Sequence, residues 1–543
     1  MDCIDIKRAN GYNKGMVQLE DTTYADLQSR AQKSTELEDE ILRLKAENQW
    51  YREQIGLAAK RLYGSSSERM PAGREGSLFN EAEQEAMPEA PEPVSLVAAH
   101  VRRKKAKGQR ELMLGGLEVE VIEYELPEDQ RVCPQCGGQL HRMGEEERVE
   151  VKITPPQVTV VRHVRDKCTC RDCAQNAIKT PVIVAPMPPA AFPGSLASPS
   201  AVAYIMYEKF VQGCPLYRQE QDFERLGFPL SRQTMANWMI AGAKWLDFVY
   251  LRLLALLLQQ NIAHADETKI QVLHEPGRAA QQQSYMWLYC TGRGSIPIFL
   301  YDYQPTRGRE HPARFLKGFI GRLHVDGYSA YEKLPGITLS GCWAHARRKF
   351  VDAIKLLPAE QRAKGGTKSH DGLAFCDKLF EIERDLHDVT PQERRIGREQ
   401  RSKPVVEALR TWLELNKPRV IPKSPIGVAV RYCLGQWNKL TAFLADGRLE
   451  IDNNRAERAI HPFVTGRKNW LFANTPDGAD ASATIYSIVE TAKANDLNPL
   501  TYLTFLFEQL PSIDLSDKNQ IDGLLPWQPS VQTQCRIPAK PTE

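Results

Sequence analysis

The sequence predicts a multidomain α+β chain whose centre is a mixed sheet covered by helices and interrupted by a long helical block. Three observations predict it. At 543 residues the chain exceeds what one hydrophobic core serves, so several domains are expected. From residue 261 the apolar spacing switches to a period of two, in IAHADETKIQVL, YMWLYCTG and IPIFLYDY, which reads as three consecutive strands. After them strand and helix patterns alternate, and residues 351–445 are almost wholly helical, the order expected of a sheet with helices on its faces.

The elements follow in chain order. Residues 1–63 end in a helix with a heptad seam of Leu37, Ile41, Leu44, Asn48, Tyr51, Ile55, Ala58 and Leu62, alternating steps of four and three. Such a seam favours self-association, and a polar Asn48 at an a position fixes register. Residues 64–112 are rich in Ser, Glu, Pro and Ala and close on VRRKKAKGQR, with six cations and no acid, so they read as a linker ending in a basic arm. Residues 113–185 are short alternating runs, such as VEVIEYEL and QVTVVRHV, around a cysteine cluster. Residues 198–258 pattern as helix, turn, helix. Ser231 is placed to cap the second of these, and Arg232, Gln233 and Asn237 are placed to reach a nucleic-acid groove. The sheet then occupies 259–350, with FLKGF as a short helix, GRLHVDGY and ITLSGCW as strands, and AHARRKFVDAIKLL as a helix. The helical block 351–445 interrupts it, 446–512 completes it, and 513–543 reads as a weak, polar tail.

Composition narrows the class. No apolar run approaches the length that crosses a bilayer, and the start lacks the basic-then-apolar layout of a secretory signal, so a soluble cytoplasmic protein is expected. The formal net charge is only +3, but cations cluster in VRRKKAKGQR and in Arg347, Arg348 and Lys349. Local basic patches on a near-neutral chain suit contact with phosphate backbones at chosen places.

Five of the twelve cysteines fall between Cys133 and Cys173. CPQCGG and CRDC are two Cys-x2-Cys knuckles, so Cys133, Cys136, Cys170 and Cys173 can surround one structural Zn2+ tetrahedrally. A hairpin between the knuckles would close their long separation, and Cys168 is left outside the ligand set. Cys342 and His345 form a Cys-x2-His half-site without a matching half, which reads as a core cysteine beside a helix-start histidine.

Three acids stand out. Asp266 lies within an apolar strand, where an acid is costly, and strand alternation keeps Glu267 from facing the same side. Asp326 ends the strand LHVD before a Gly-Tyr turn. Asn454-x-x-Glu457 has the spacing of a capping box, with Asn454 as the cap. Each acid has an ordinary structural explanation when taken alone.

HADETKIQVL, HVDGYSAY, GCWAHARRKF and IDNNRAERAIHPFVTGRKNWLF, in that order, resemble the insertion-sequence-66 family of transposases. The resemblance extends to KRLYGSSSER, the cysteine knuckles, PLYRQEQDFERLG and the terminal LLPW, and so covers roughly residues 36–527. It implies an RNase H-like core whose catalytic Asp, Asp and Glu are Asp266, Asp326 and Glu457, with a helical insertion before the Glu. Those carboxylates would bind Mg2+ or Mn2+, and phosphoryl transfer on DNA uses two such ions about 4 Å apart. The expected partners are double-stranded DNA, as element ends and as target, a second copy of the chain, and accessory proteins encoded by the element. The expected location is the bacterial cytoplasm, at the nucleoid. The sequence departs from the family in KCTC before the second knuckle and in Val464, where related enzymes carry a base. Arg458, Arg467 and Lys468 are the remaining DNA-contact candidates on that helix. A DNA-binding regulator without catalysis and a nuclease that does not join strands are the alternatives. The intact set of three carboxylates argues against the first, and product analysis separates the second.

Overall fold

The computed structural model describes Lys33, residues 156–169 and residues 182–538. The heptad seam, the linker with its basic arm and the four knuckle cysteines lie outside the described residues. Before the sheet come strands β1 (Lys167–Thr169) and β2 (Val182–Val184), which pair antiparallel with Cys168 opposite Ile183. The alternating run QVTVVRHV is exposed and carries no regular structure; the paired strand begins just after it. Alternation signals a strand only where a partner supplies the ladder.

Helices α1 (Pro199–Phe210), α2 (Leu216–Arg225) and α3 (Arg232–Leu258) follow. Ser231 caps α3 by accepting from the Thr234 N–H at 3.1 Å. A stripe of Met235, Trp238, Met239, Gly242, Leu246, Val249, Leu253 and Leu257 buries one face of α3 at helical spacing. At Gly242 a Cβ would stand 2.6 Å from the Met206 side chain, so glycine sets how closely α1 and α3 approach.

The sheet consists of β3 (Ile262–Gln271), β4 (Gln283–Thr291), β5 (Phe299–Gln304), β6 (Gly321–Val325) and β7 (Ile337–Gly341), in the order β5-β4-β3-β6-β7. β3 pairs antiparallel with β4, β4 antiparallel with β5, and β3 parallel with β6. This is the mixed sheet that the period-two runs predict. The helix expected at FLKGF stands earlier, as α4 (Glu310–Phe315), because Gly318 takes φ 92° and ends the turn there.

The chain divides into two compact units, one of them Gly341–Gly447. That unit is helical: α5 (Trp343–Lys355), α6 (Ala359–Lys364), α7 (Lys368–Asp385), α8 (Pro391–Gly397), α9 (Lys403–Asn416), α10 (Pro425–Gly435) and α11 (Trp437–Leu440). It takes in α5, which the sequence pattern leaves with the sheet. Two buried arginines pin it internally. Arg394 donates to the carbonyls of Leu386, His387, Val389 and Gly447, and Arg398 pairs with Glu383 while donating to Phe443 and Asp446 carbonyls.

In the other unit the chain resumes with α12 (Asn454–Trp470), α13 (Pro476–Ala494), α14 (Pro499–Gln509), α15 (Lys518–Asp522) and α16 (Pro529–Cys535). Tyr301 on the sheet meets Phe463 of α12 and Tyr486 of α13 on one face, while Tyr289 stacks on Phe315 of α4 on the other. The edge strand β5 would present bare N–H groups. Ser487 and Thr491 of α13 accept them, from Tyr301 at 2.8 Å and from Phe299 at 3.0 Å. The C-terminal segment is not the weak tail its polarity suggests. Leu524, Leu525, Val531 and Cys535 are buried, and Asp522 forms a two-pronged ion pair with Arg252 of α3. A few well-spaced apolar residues suffice to dock a short polar segment onto an existing core.

Candidate active site

The strands bring the two aspartates together. The parallel ladder pairs Ile262 with Arg322, Ala263 with Leu323 and His264 with His324. Continued by two residues, the same register sets Asp266 beside Asp326, on strands about 4.8 Å apart. Asp326 stands just past the end of β6. Gly327 takes φ 102°, a turn that favours glycine, and the Tyr328 N–H donates to Asp326 Oδ1 at 2.9 Å, fixing the carboxyl's direction. Asp266 Oδ1 accepts from the Glu267 N–H at 2.9 Å.

Glu457 comes from the first helical turn of α12, which packs on β3 and β4. The expected capping box is not formed. Asn453 is the cap residue, one position earlier than the spacing suggested, and it makes no side-chain cap hydrogen bond. Its amide is turned to the sheet instead: Nδ2 donates to the Ala265 carbonyl at 2.9 Å, and Oδ1 meets His264 Nδ1 at 2.9 Å. Asn453, Ala265 and His264 are fully buried. Asp452 takes over part of the capping, accepting from the Asn454 N–H at 3.1 Å. The start of the Glu457 helix is thus fastened to the strand residue immediately before Asp266.

Below the carboxylates lies a layer that the sequence reading did not single out. His264 and His324 stack with centroids 4.9 Å apart and planes 3° apart. His264 Nε2 lies 2.9 Å from Glu450, which also pairs with Arg455 at 3.0 Å. Burial opposes the charge on Glu450, but the hydrogen bond and charge of His264, with Arg455, hold its carboxyl well below the usual carboxylate range. The signal available in sequence was a histidine two residues before each aspartate. On a strand that spacing puts the ring on the same face as the acid.

Glu267 faces the other side, as alternation requires. Tyr331 donates to its Oε2 at 2.6 Å, and Arg307 forms an ion pair with Oε1 while its guanidinium lies 3.6 Å over the Tyr328 ring. Arg307 and Tyr331 thus hold Glu267 on the face away from Asp266.

Asp266, Asp326 and Glu457 are each half-buried, shielded but reachable. Burial and the charge of Glu267 push the Asp266 carboxyl up to about 8, against the Glu267 N–H that favours its ionised form; Asp326 and Glu457 push it further. The charges of Asp326 and Glu457 thus reach Asp266, and a hard-oxygen set of this kind suits a divalent cation.

Other sequence-selected residues are placed as follows. Arg232, Gln233 and Asn237 are exposed at the start of α3, Gln233 donates to Asn237 at 3.1 Å, and Arg232 lies over Tyr217. Arg458 and Lys468 are exposed on α12, and Arg467 is half-buried. In the helical unit Arg347 pairs with Asp377 at 2.6 Å, Lys349 lies over Tyr432, and Arg348 is exposed. Cys342 is buried at the start of α5, and Cys168 is exposed on β1. Among the described residues no helix is long and apolar enough to cross a membrane.

The profile described as Transposase IS66 family matches residues 194–481, that of the zinc-finger binding domain of transposase IS66 matches residues 130–174, and that of the IS66 C-terminal element matches residues 487–527. A protein of Sinorhizobium fredii described as uncharacterized protein y4jD is 32% identical over 413 residues, spanning 74% of this chain and 78% of the relative. Another from the same organism, uncharacterized protein y4qI, is 31% identical over 471 residues, spanning 83% of this chain and 80% of the relative.

Proposed function

This chain belongs to the IS66 family of transposases, and on that basis we propose that it cleaves DNA at the ends of its mobile element and joins the freed 3′-hydroxyls to target DNA. The observation that carries this reading is the meeting of Asp266 and Asp326 on neighbouring parallel strands with Glu457 on a helix latched to the same strand. The strand order, with the antiparallel run β5-β4-β3 on one side and the parallel partner β6 on the other side of β3, supports an RNase H-like core in two parts, 259–350 and 446–512.

Asp266, Asp326 and Glu457 would hold Mg2+ or Mn2+. Bound there, the ions supply the positive charge that activates the attacking oxygen and supports the leaving one in an in-line displacement. The chain's own part is to place three carboxylates from three elements and to keep the site half-shielded from water. Cys133, Cys136, Cys170 and Cys173 would hold the zinc of the finger. Arg232, Gln233 and Asn237 of the 198–258 module, Arg347, Arg348 and Lys349 on α5, and Arg458, Arg467 and Lys468 on α12 would contact DNA. The chain would work in the cytoplasm as a homo-oligomer, joined through residues 1–63, with element-encoded accessory proteins as further partners.

The test is incubation of the protein with element-end DNA and Mg2+, followed by product analysis. Nicks with 3′-hydroxyl ends and joined strands are expected. Asp266→Asn, Asp326→Asn and Glu457→Gln should each abolish cleavage while DNA binding and melting temperature are kept, because each isostere keeps the shape but weakens a metal ligand. Normal cleavage by any of the three removes that residue from the site. Strand breaks without joining convert the reading to a nuclease.

A further inference from the structure

The helical unit Gly341–Gly447 carries twenty Lys and Arg against thirteen Asp and Glu, a formal +7 in a chain whose total is +3. The excess is not spread evenly. From Leu415 to Ala445 there is no acid, while Lys417, Arg419, Lys423, Arg431 and Lys439 fall in the same stretch. Tertiary contacts gather part of it into one surface. Lys368, at the start of α7, donates Nζ to the Arg419 carbonyl at 3.1 Å, and Arg431 of α10 donates Nη2 to the Pro422 carbonyl at 2.6 Å. Cations from two helices thus converge on the connection 417–423, where Pro418 and Pro422 restrict the backbone. Lys417, Arg419 and Arg431 are exposed and Lys368 is half-buried.

Three exposed cations elsewhere on the unit face carboxylates: Arg401 pairs with Asp385, Arg410 with Glu414 and Lys378 with Glu381. Among the described residues, none of Lys368, Lys417, Arg419 and Arg431 has such a pair. Clustered cations that repel one another and lack acids gain most from a polyanion, which releases its own counterions on contact.

We propose that Lys368, Lys417, Arg419 and Arg431 form a docking surface for the phosphate backbone of duplex DNA, read without regard to sequence. The inference rests on the DNA-directed function proposed above and adds a contact region to it. Phosphate contacts of this kind set position and salt dependence rather than specificity.

The experiment uses the full-length protein and a duplex lacking element-end sequence, with binding followed by fluorescence anisotropy across a NaCl series. In K417Q/R419Q/R431Q the slope of log K against log salt should shrink in magnitude by about 2.7, roughly 0.9 for each phosphate left without its cation. The control R401Q/R410Q/K378Q removes the same charge from paired positions and should leave the slope as in the wild type. K417R/R419K, which keeps the charge, should also keep the slope and shows that the effect of the first variant is not misfolding. An unchanged slope in K417Q/R419Q/R431Q, or an equal change in the paired control, overturns this surface while leaving the transposase reading intact. Absence of any DNA binding by the wild type overturns both.

Discussion

Replacing Asn453 should separate a helix cap from a latch. In Asn453→Ala two hydrogen bonds of 2.9 Å disappear, and the Ala265 carbonyl and His264 Nδ1 are left where both residues are fully buried. A buried polar group deprived of its partner costs about 1–3 kcal/mol, so the docking of the α12 start should weaken by roughly 2–6 kcal/mol. The effect is local, and the rest of α12 stays packed through Ala456, Ile460 and Phe463. Glu457 would then sample positions shifted by about 1 Å or more relative to the two aspartates, a displacement worth on the order of 100-fold in rate. Asn453→Asp is the sharper variant. Asp serves about as well as Asn at a helix N-cap, but here it loses the donor to the Ala265 carbonyl and puts a negative charge where the side chain is fully buried. Single-turnover cleavage at saturating Mg2+ should therefore fall at least as far in Asn453→Asp as in Asn453→Ala, and amide exchange in the first turn of α12 should accelerate in both. Cleavage and exchange at wild-type levels in Asn453→Asp would refute the latch and return Asn453 to ordinary capping.

Three further outcomes are expected. Asp266, with its carboxyl raised to about 8, holds a proton between about pH 4 and 8 that the unfolded chain has released, so this group's contribution to metal-free stability is lost as pH rises through 8. Divalent-ion binding must displace that proton: calorimetry in buffers of different ionisation enthalpy should show about one proton released per site at pH 6 and almost none at pH 9, with affinity rising with pH between them. No release at pH 6 contradicts the charge coupling at Asp266. Cys170→Ser should lose the zinc and Cys168→Ser keep it, as read by metal analysis; the reverse result exchanges their roles. Removing residues 1–63 should lower the mass measured by light scattering without lowering the melting temperature of the remaining chain, and an unchanged mass rules out self-association through that segment.

Local chemistry made much of this protein legible in its sequence. Strands β3, β4 and β5 follow from apolar residues at period two, and Ser231 caps α3 because a hydroxyl before a helical run meets a free N–H. Asp266 was conspicuous as an acid in an apolar strand, and alternation alone separated it from Glu267. The position of Glu457 was not legible in this way. Asn-x-x-Glu spacing describes contacts within one helix, whereas the amide of Asn453 is spent on a strand 188 residues away in the chain. The same limit hid the partners of Glu267, which come from Arg307 and Tyr331, and the Glu450 that meets His264. It also hid the docking of the C-terminal segment onto Arg252. Periodicity and capping are properties of neighbours in sequence, so the sequence by itself determined which elements form and which faces their acids take. Which carboxylates meet a cation and which are brought beside one another depends on charges gathered across the chain, and only the tertiary structure decided that.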